Sequence, residues 1–234
     1  MTNITKLHYF RGRGRAETTR WMLAINQIAF ENVAVTTPEM LAALRMSGKL
    51  PFDQMPLLEI DGKNLSQSSA TVRYLARRGD FYGDNNEDAL WCDMVAGAVA
   101  DFADSALQAA FQATQEIAVT ALQDRFDKFA PRFEARLHEN GTGVFAGQRL
   151  SFADVVFAEA LSGYLEWVPD ILTGTPLLAA LYERVVSEPG IANYMQSSLR
   201  YPMPGSEYVV DVARVLERAL PPHMPEPSRF VPAG

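Results

Sequence analysis

Residues 6–17 read Lys6-Leu-His-Tyr9-Phe-Arg-Gly12-Arg-Gly14-Arg15-Ala-Glu17. A short strand-like run ends in tyrosine, and a turn punctuated by glycine and arginine leads straight into helical sequence. Further on come Gln54-Met55-Pro56-Leu-Leu-Glu-Ile60-Asp-Gly62 and then Gln67-Ser68. Each piece is weak alone, but their order and spacing together predict a small mixed sheet with a tyrosine, a proline-opened strand and a helix start.

The flanking sequence extends that pattern. Phe30 to Val35 reads as a second strand, and Pro38 to Met46 as a short helix with proline near its start. Pro56 to Ile60, the turn pair Asp61-Gly62, and Lys63 to Leu65 form a hairpin pattern. Gln67 to Arg77 is helical and closes on basic residues before Gly79, as the helix dipole and a glycine cap favour. A β-α-β order followed by β-β-α predicts an α/β domain over residues 1–79, with helices on the faces of the sheet.

After Gly79 the chain changes character. Asp80 to Asn86 is a polar linker, and no later stretch reads as a strand. Glu87–Gln115, Ala118–Glu139, Phe152–Val168, Leu177–Ser187 and Ile191–Arg200 all have helical composition, predicting an all-α domain over 87–200. Ser151-Phe-Ala-Asp154 has the form of a capping box, opening a helix that is apolar almost all round. Such a helix is expected to run through the middle of its domain. Residues 201–234 form an extension with one amphipathic segment, Glu207 to Leu220, and then Pro221-Pro222-His-Met-Pro225-Glu-Pro227. It either covers a cleft or straps the surface.

Composition narrows the function. Apolar residues make up 48% and charged residues 21%, which fits a folded globular chain. A net charge of −7 argues against a nucleic-acid or anionic-membrane surface. No apolar run is long enough to span a bilayer, and the start lacks signal-peptide character, so a cytoplasmic protein is expected. One cysteine, Cys92, allows no internal disulfide and no Cys-x-x-Cys pair; it reads as core. His8, His138 and His223 have no metal-ligand spacing among them. Phe111, Phe126, Phe129 and Phe133 read as core or interface.

The candidate site residues each carry two readings. Tyr9 offers a rigid hydroxyl at a strand end facing a helix start, with Arg15 adding positive field; its other reading is a tyrosine packed under the sheet. Pro56 opens a strand, and a cis bond would leave the Met55 amide and carbonyl free for an extended peptide ligand. The other reading is an ordinary edge-strand proline. Gln67-Ser68 begins a helix whose free amides suit a carboxylate, or simply caps it, a task Ser66 also suits.

These stretches resemble the cytosolic glutathione transferase family, in its tyrosine-using classes and nearest the sigma class. The similarity rests on Leu7-His-Tyr9-Phe with Gly12 to Glu17, on Leu50-Pro-Phe52-Asp-Gln54-Met-Pro56, and on Leu65-Ser-Gln67-Ser68 with Ala70, Arg73, Tyr74 and Leu75. Ser151 to Asp154 matches the family's buried-helix cap, and the resemblance covers about residues 4–200. It implies a thioredoxin-like domain, an all-helical domain and a homodimer, with glutathione and a hydrophobic electrophile as substrates. Tyr9 would activate the thiol beside Arg15, and Met55, between Gln54 and Pro56, would pair with the cysteinyl backbone. Gln67 and Ser68 would hold the γ-glutamyl carboxylate. Asp101 would reach the glutamyl amine in the neighbouring subunit, its other reading being a solvated helix face.

The thiol of glutathione titrates near ~8.5, and holding it ionised at neutral pH needs a shift of about two units, roughly 2.7 kcal/mol. One hydrogen bond to a charged acceptor supplies about 1.5–3 kcal/mol. A single well-placed hydroxyl therefore supplies most of that shift.

Three departures from the sigma pattern stand out. Thr36 to Lys49 lacks the tryptophan and lysine that hold the glycyl carboxylate, Ala43 and Ser47 standing there; Lys49 or Arg45 is the candidate replacement. Gly97 and Ala100 interrupt an aspartate cluster that binds metal in some sigma-like enzymes, so no metal is expected. The tail beyond Arg200 is longer than usual for that class. The alternatives to a conjugating transferase are a glutathione-dependent isomerase or peroxidase, and a non-catalytic binding or structural member.

Overall fold

The computed structural model describes residues 4–224. Strand β1 (Thr5–Tyr9) runs parallel to β2 (Phe30–Ala34), with Tyr9 opposite Ala34. On its other edge β1 pairs antiparallel with β3 (Leu57–Ile60), and β4 (Lys63–Ser66) closes a hairpin on β3. The strand order is β2-β1-β3-β4. The hairpin turns where the sequence places Asp61-Gly62, both with positive φ (51° and 72°). Helix α1 (Glu17–Ile25) follows a 3-10 turn over Gly14–Ala16. Helix α2 (Pro38–Met46) is capped by Thr37 and has its proline in the first turn. Helix α3 (Ser68–Arg78) ends at Gly79.

The remaining elements are α4 (Asn86–Ala109), α5 (Gln115–Asn140), α6 (Phe152–Trp167), α7 (Pro176–Val186), α8 (Pro189–Met195) and α9 (Ser206–Val215). Three helices end five or six residues short of the sequence reading, each for a local reason. Helix α4 stops at Ala109 because Thr114 begins α5, its hydroxyl accepting from the Ile117 amide at 3.2 Å. Helix α8 stops at Met195, five residues before Arg200, where the Ser197 hydroxyl donates to the Tyr194 carbonyl and folds the chain back. Helix α9 ends at Val215, and Glu217 takes a left-handed conformation that turns the chain. Of the proline-rich stretch, Pro225 to Pro227 lie outside the described residues.

Helix α6 is the centre of the helical region, packed against α1, α4 and α7. Its aromatic neighbours interlock: Phe102 of α4 stacks on Tyr164 of α6 with ring centres 4.2 Å apart, and the Tyr164 hydroxyl donates to the Phe102 carbonyl. Phe126 and Phe133 of α5 are buried in this cluster. Cys92 is buried too, and burial pushes its thiol up to about 11, which makes it inert. Helix α1 joins the two halves: it packs on α3 of the sheet region and on α6 and α8.

Candidate thiol site

Tyr9 sits at the C-terminal end of β1 with its side chain almost wholly buried. Its hydroxyl oxygen accepts a hydrogen bond from the Arg15 amide at 3.1 Å. The 3-10 turn thus aims a backbone N–H at the phenol oxygen, while the Arg15 side chain is exposed and lines the cavity described below. Gly12 and Gly14 allow a close approach. A Cβ at Gly14, whose φ is +40°, would lie 2.4 Å from the Tyr208 hydroxyl oxygen and 2.7 Å from that of Tyr9. A Cβ at Gly12 would lie 2.3 Å from Cδ2 of the Tyr208 ring. Two hydroxyls therefore converge on this turn, the second delivered by α9. Burial, and then the Tyr9 phenol, push the Tyr208 phenol up, so it stays protonated.

The opposite wall comes from the turn before β3 and the start of α3. The Met55–Pro56 peptide is cis. Among the described residues, the amide and carbonyl of Met55 take no backbone partner. Gln67 adopts φ 66° just ahead of α3, and its side-chain Nε2 donates to the Gln54 Oε1 at 3.1 Å. The Ser68 hydroxyl donates to the Arg15 carbonyl at 2.9 Å, tying the start of α3 to the turn after Tyr9. Ser66 is no cap: its hydroxyl is buried without a partner among the described residues.

Tyr9, Arg15, Gln54, Met55, Pro56, Gln67 and Ser68 all line one cavity of about 980 Å³. Lys49 does not. Its ammonium is held at 2.7 Å by Glu59, whose other oxygen pairs with His8 at 2.6 Å. Arg45, in the last turn of α2, lines the cavity instead. Asp101 is exposed and outside the lining, because α4 turns Ala96, Val99, Ala100, Ala103, Ala106 and Leu107 toward the cavity instead.

The rest of the cavity is mainly apolar, with Phe10, Leu107, Val156, Trp167 and Leu216 among its walls. Its polar edge was not foreseen from the sequence. Nη1 of Arg13 donates to both carboxylate oxygens of Glu166, at 2.6 and 2.8 Å, and its Nε donates to the Tyr201 carbonyl. The Thr18 hydroxyl donates to Glu159 at 2.8 Å. Glu159 lines the cavity, and burial, with neighbouring Glu17 adding to it, pushes its carboxyl up to about 8. An acid alone among Val155, Val156, Phe157, Ala158, Ala160 and Leu161 was the signal that could have flagged it.

Glu159 has a measurable consequence. Its folded value lies above its ordinary 4.5, so between 4.5 and about 8 the native carboxyl keeps its proton while the unfolded one ionises, and stability falls as pH rises through that window. Glu159→Gln is expected to match the parent near pH 5 and to exceed it by about 2–4 kcal/mol at pH 8. Thermal unfolding across that range checks this; a stability difference independent of pH would contradict it.

Comparison with known proteins agrees with this architecture. The family model described as the glutathione S-transferase N-terminal domain matches residues 5–77, and that of the C-terminal domain matches residues 100–198. The chain is 34% identical over 221 residues to glutathione S-transferase alpha-2 of Rattus norvegicus, covering 93% of this chain and 100% of the relative. This chain belongs to the glutathione S-transferase family. Among solved structures, the transferase is similar to monomeric Na-GST-3 of Necator americanus, with TM-score 0.74 and 28% identity, covering 84% of this chain and 98% of that one. Prostaglandin synthase D of Nilaparvata lugens superimposes with TM-score 0.70 at 26% identity, covering 84% and 98%. These comparisons support the family and do not support the sigma class within it.

Proposed function

We propose that this transferase binds glutathione along the β3–α3 wall, ionises its thiol at Tyr9 and adds the thiolate to a hydrophobic electrophile held in the apolar half of the cavity. The observation that carries this reading is the Arg15 amide donating to the Tyr9 oxygen inside a cavity that Met55, Gln67 and Ser68 also line. A phenol that accepts a hydrogen bond donates its own proton more strongly. Tyr9 is thereby a better donor to a sulfur anion, and the exposed Arg15 guanidinium adds positive field.

The unpaired Met55 amide and carbonyl match the extended backbone of a cysteinyl residue, as in strand addition. Gln54 and Pro56 hold that turn in place. Gln67, Ser68 and the first amides of α3 suit the γ-glutamyl carboxylate. For the glycyl carboxylate we assign Arg45 in place of Lys49, whose charge is already taken by Glu59. No metal enters this scheme.

Wider features belong to the same proposal. Phe52 is 64% exposed, and Leu90 and Met94, one turn apart on α4, are 57% and 51% exposed. Apolar surface of this kind suits a second copy of the chain, whose ligand Asp101 would then approach. The domain division at 1–79, 87–200 and 201–234, and residence in the cytoplasm, are proposed likewise. As to class, a tail helix over the cavity and a relative named alpha-2 favour an alpha-like arrangement over the sigma one. Isomerase and peroxidase chemistry would use the same thiolate, and a solved structure named prostaglandin synthase D keeps that reading open to test. Glutathione-dependent turnover of a generic aryl halide tests the main proposal. Saturable turnover supports conjugation, and binding without turnover of any electrophile would replace it with the non-catalytic reading.

A further inference from the structure

Tail helix α9 is seated by three features. The Tyr208 ring lies on Gly12 and Gly14, where any side chain would collide with it. Val209 and Val215 are buried at either end of the helix. The helix also packs against α2. Beyond Val215 the chain turns sharply: Glu217 is left-handed, and the Arg218 amide donates to the Ala213 carbonyl at 2.9 Å, a helix-ending bond that sets where Arg218 starts. Arg218 and Leu216 line the same cavity as Tyr9.

Helices α2 and α9 pack together, and Arg45 in the last turn of α2 and Arg218 just beyond the end of α9 both line the cavity. Among the described residues neither arginine has a carboxylate partner, although acidic residues outnumber basic ones in this chain. Among those residues Arg45 donates only to the Asp53 carbonyl. Two cations lining one cavity without acidic partners favour an anion there, and a carboxylate is the group whose geometry guanidinium forks match.

We propose that Arg218 is a binding residue for the glycyl carboxylate of glutathione, acting beside Arg45, so that the tail completes the thiol site. This rests on the glutathione reading given above. It accounts for the departure at Thr36 to Lys49: the chain lacks two ligands there, and Lys49 is occupied, so the second cation arrives from the extension. It also gives the extension a task in the first substrate's binding, besides forming a wall for the second.

The test compares glutathione with γ-glutamylcysteine, the same ligand without its glycine, by equilibrium binding to the parent and to Arg218→Gln. Arg218 is exposed, so the substitution leaves the core untouched. The expected result is about a tenfold weakening for glutathione and less than a twofold change for γ-glutamylcysteine. An unchanged preference for glutathione in Arg218→Gln would overturn the proposal. So would equal weakening of both ligands, which would mean that the substitution acts on the seating of the tail. If neither ligand binds the parent protein, the glutathione reading itself falls and this proposal with it.

Discussion

Replacing Tyr9 by phenylalanine is expected to cut glutathione-dependent turnover by roughly 10- to 100-fold while leaving the affinity for glutathione within about threefold. The ring stays, so its packing against Phe10, with ring centres 5.0 Å apart, is kept. Only the hydroxyl is lost, and with it one hydrogen bond to a charged sulfur, worth about 1.5–3 kcal/mol. That contact exists only once the thiol has given up its proton, so the loss falls on turnover more than on binding. The Arg15 amide also loses its acceptor, but it lies at the cavity wall where water can replace it. Steady-state kinetics in both substrates read the effect. Unchanged turnover, or a change confined to KM, would remove Tyr9 from the chemistry.

The largest expected loss of stability lies far from the thiol, at Asp154. Its carboxylate accepts from the Phe145 amide at 2.8 Å, the Ser151 amide at 2.7 Å and the Ser151 hydroxyl at 2.8 Å. The group is fully enclosed; burial pushes its carboxyl up to about 6, and those three donors pull the other way. Asp154→Ala removes the capping box of α6 and leaves two buried amides without an acceptor, each costing about 1–3 kcal/mol. The expected loss is roughly 3–5 kcal/mol, a large part of the ~5–15 kcal/mol that holds a typical domain together. Since α6 packs against both α1 and α4, the loss should appear as one cooperative drop in the urea midpoint. Asp154→Asn, which keeps one acceptor but turns an NH₂ toward donors, should fall between the two. A loss below about 1 kcal/mol for Asp154→Ala would show that the loop at Phe145 finds other partners.

How much of this was legible in the sequence follows from the range of each interaction. Strands and turns of the first half were readable because local chemistry decides them: Asp61-Gly62 turns the hairpin, and Pro38 sits in the first turn of α2. The capping box at Ser151 and Asp154 was readable for the same reason. Helix ends set by a single hydroxyl, such as Thr114 and Ser197, escaped because composition on both sides of them is helical. The convergence of Tyr9 with Gln54, Met55, Pro56, Gln67 and Ser68 was anticipated from motif spacing. The placement of Lys49 was not, since nothing local reveals that Glu59 and His8 lie across the sheet from it. Tyr208, Arg218 and the Arg13–Glu166 pair bridge distant parts of the chain, and no periodicity records such contacts. Asp101 needs a second copy of the chain before its assignment has meaning.

The central claim is that this cavity holds glutathione as a thiolate through Tyr9. Ultraviolet difference titration of the protein–glutathione mixture, following thiolate absorbance across pH, tests it most directly. The bound thiol is expected to ionise about two units below its free value of ~8.5, with that shift largely abolished in Tyr9→Phe. Saturable binding with the thiol still titrating at its free value would contradict it.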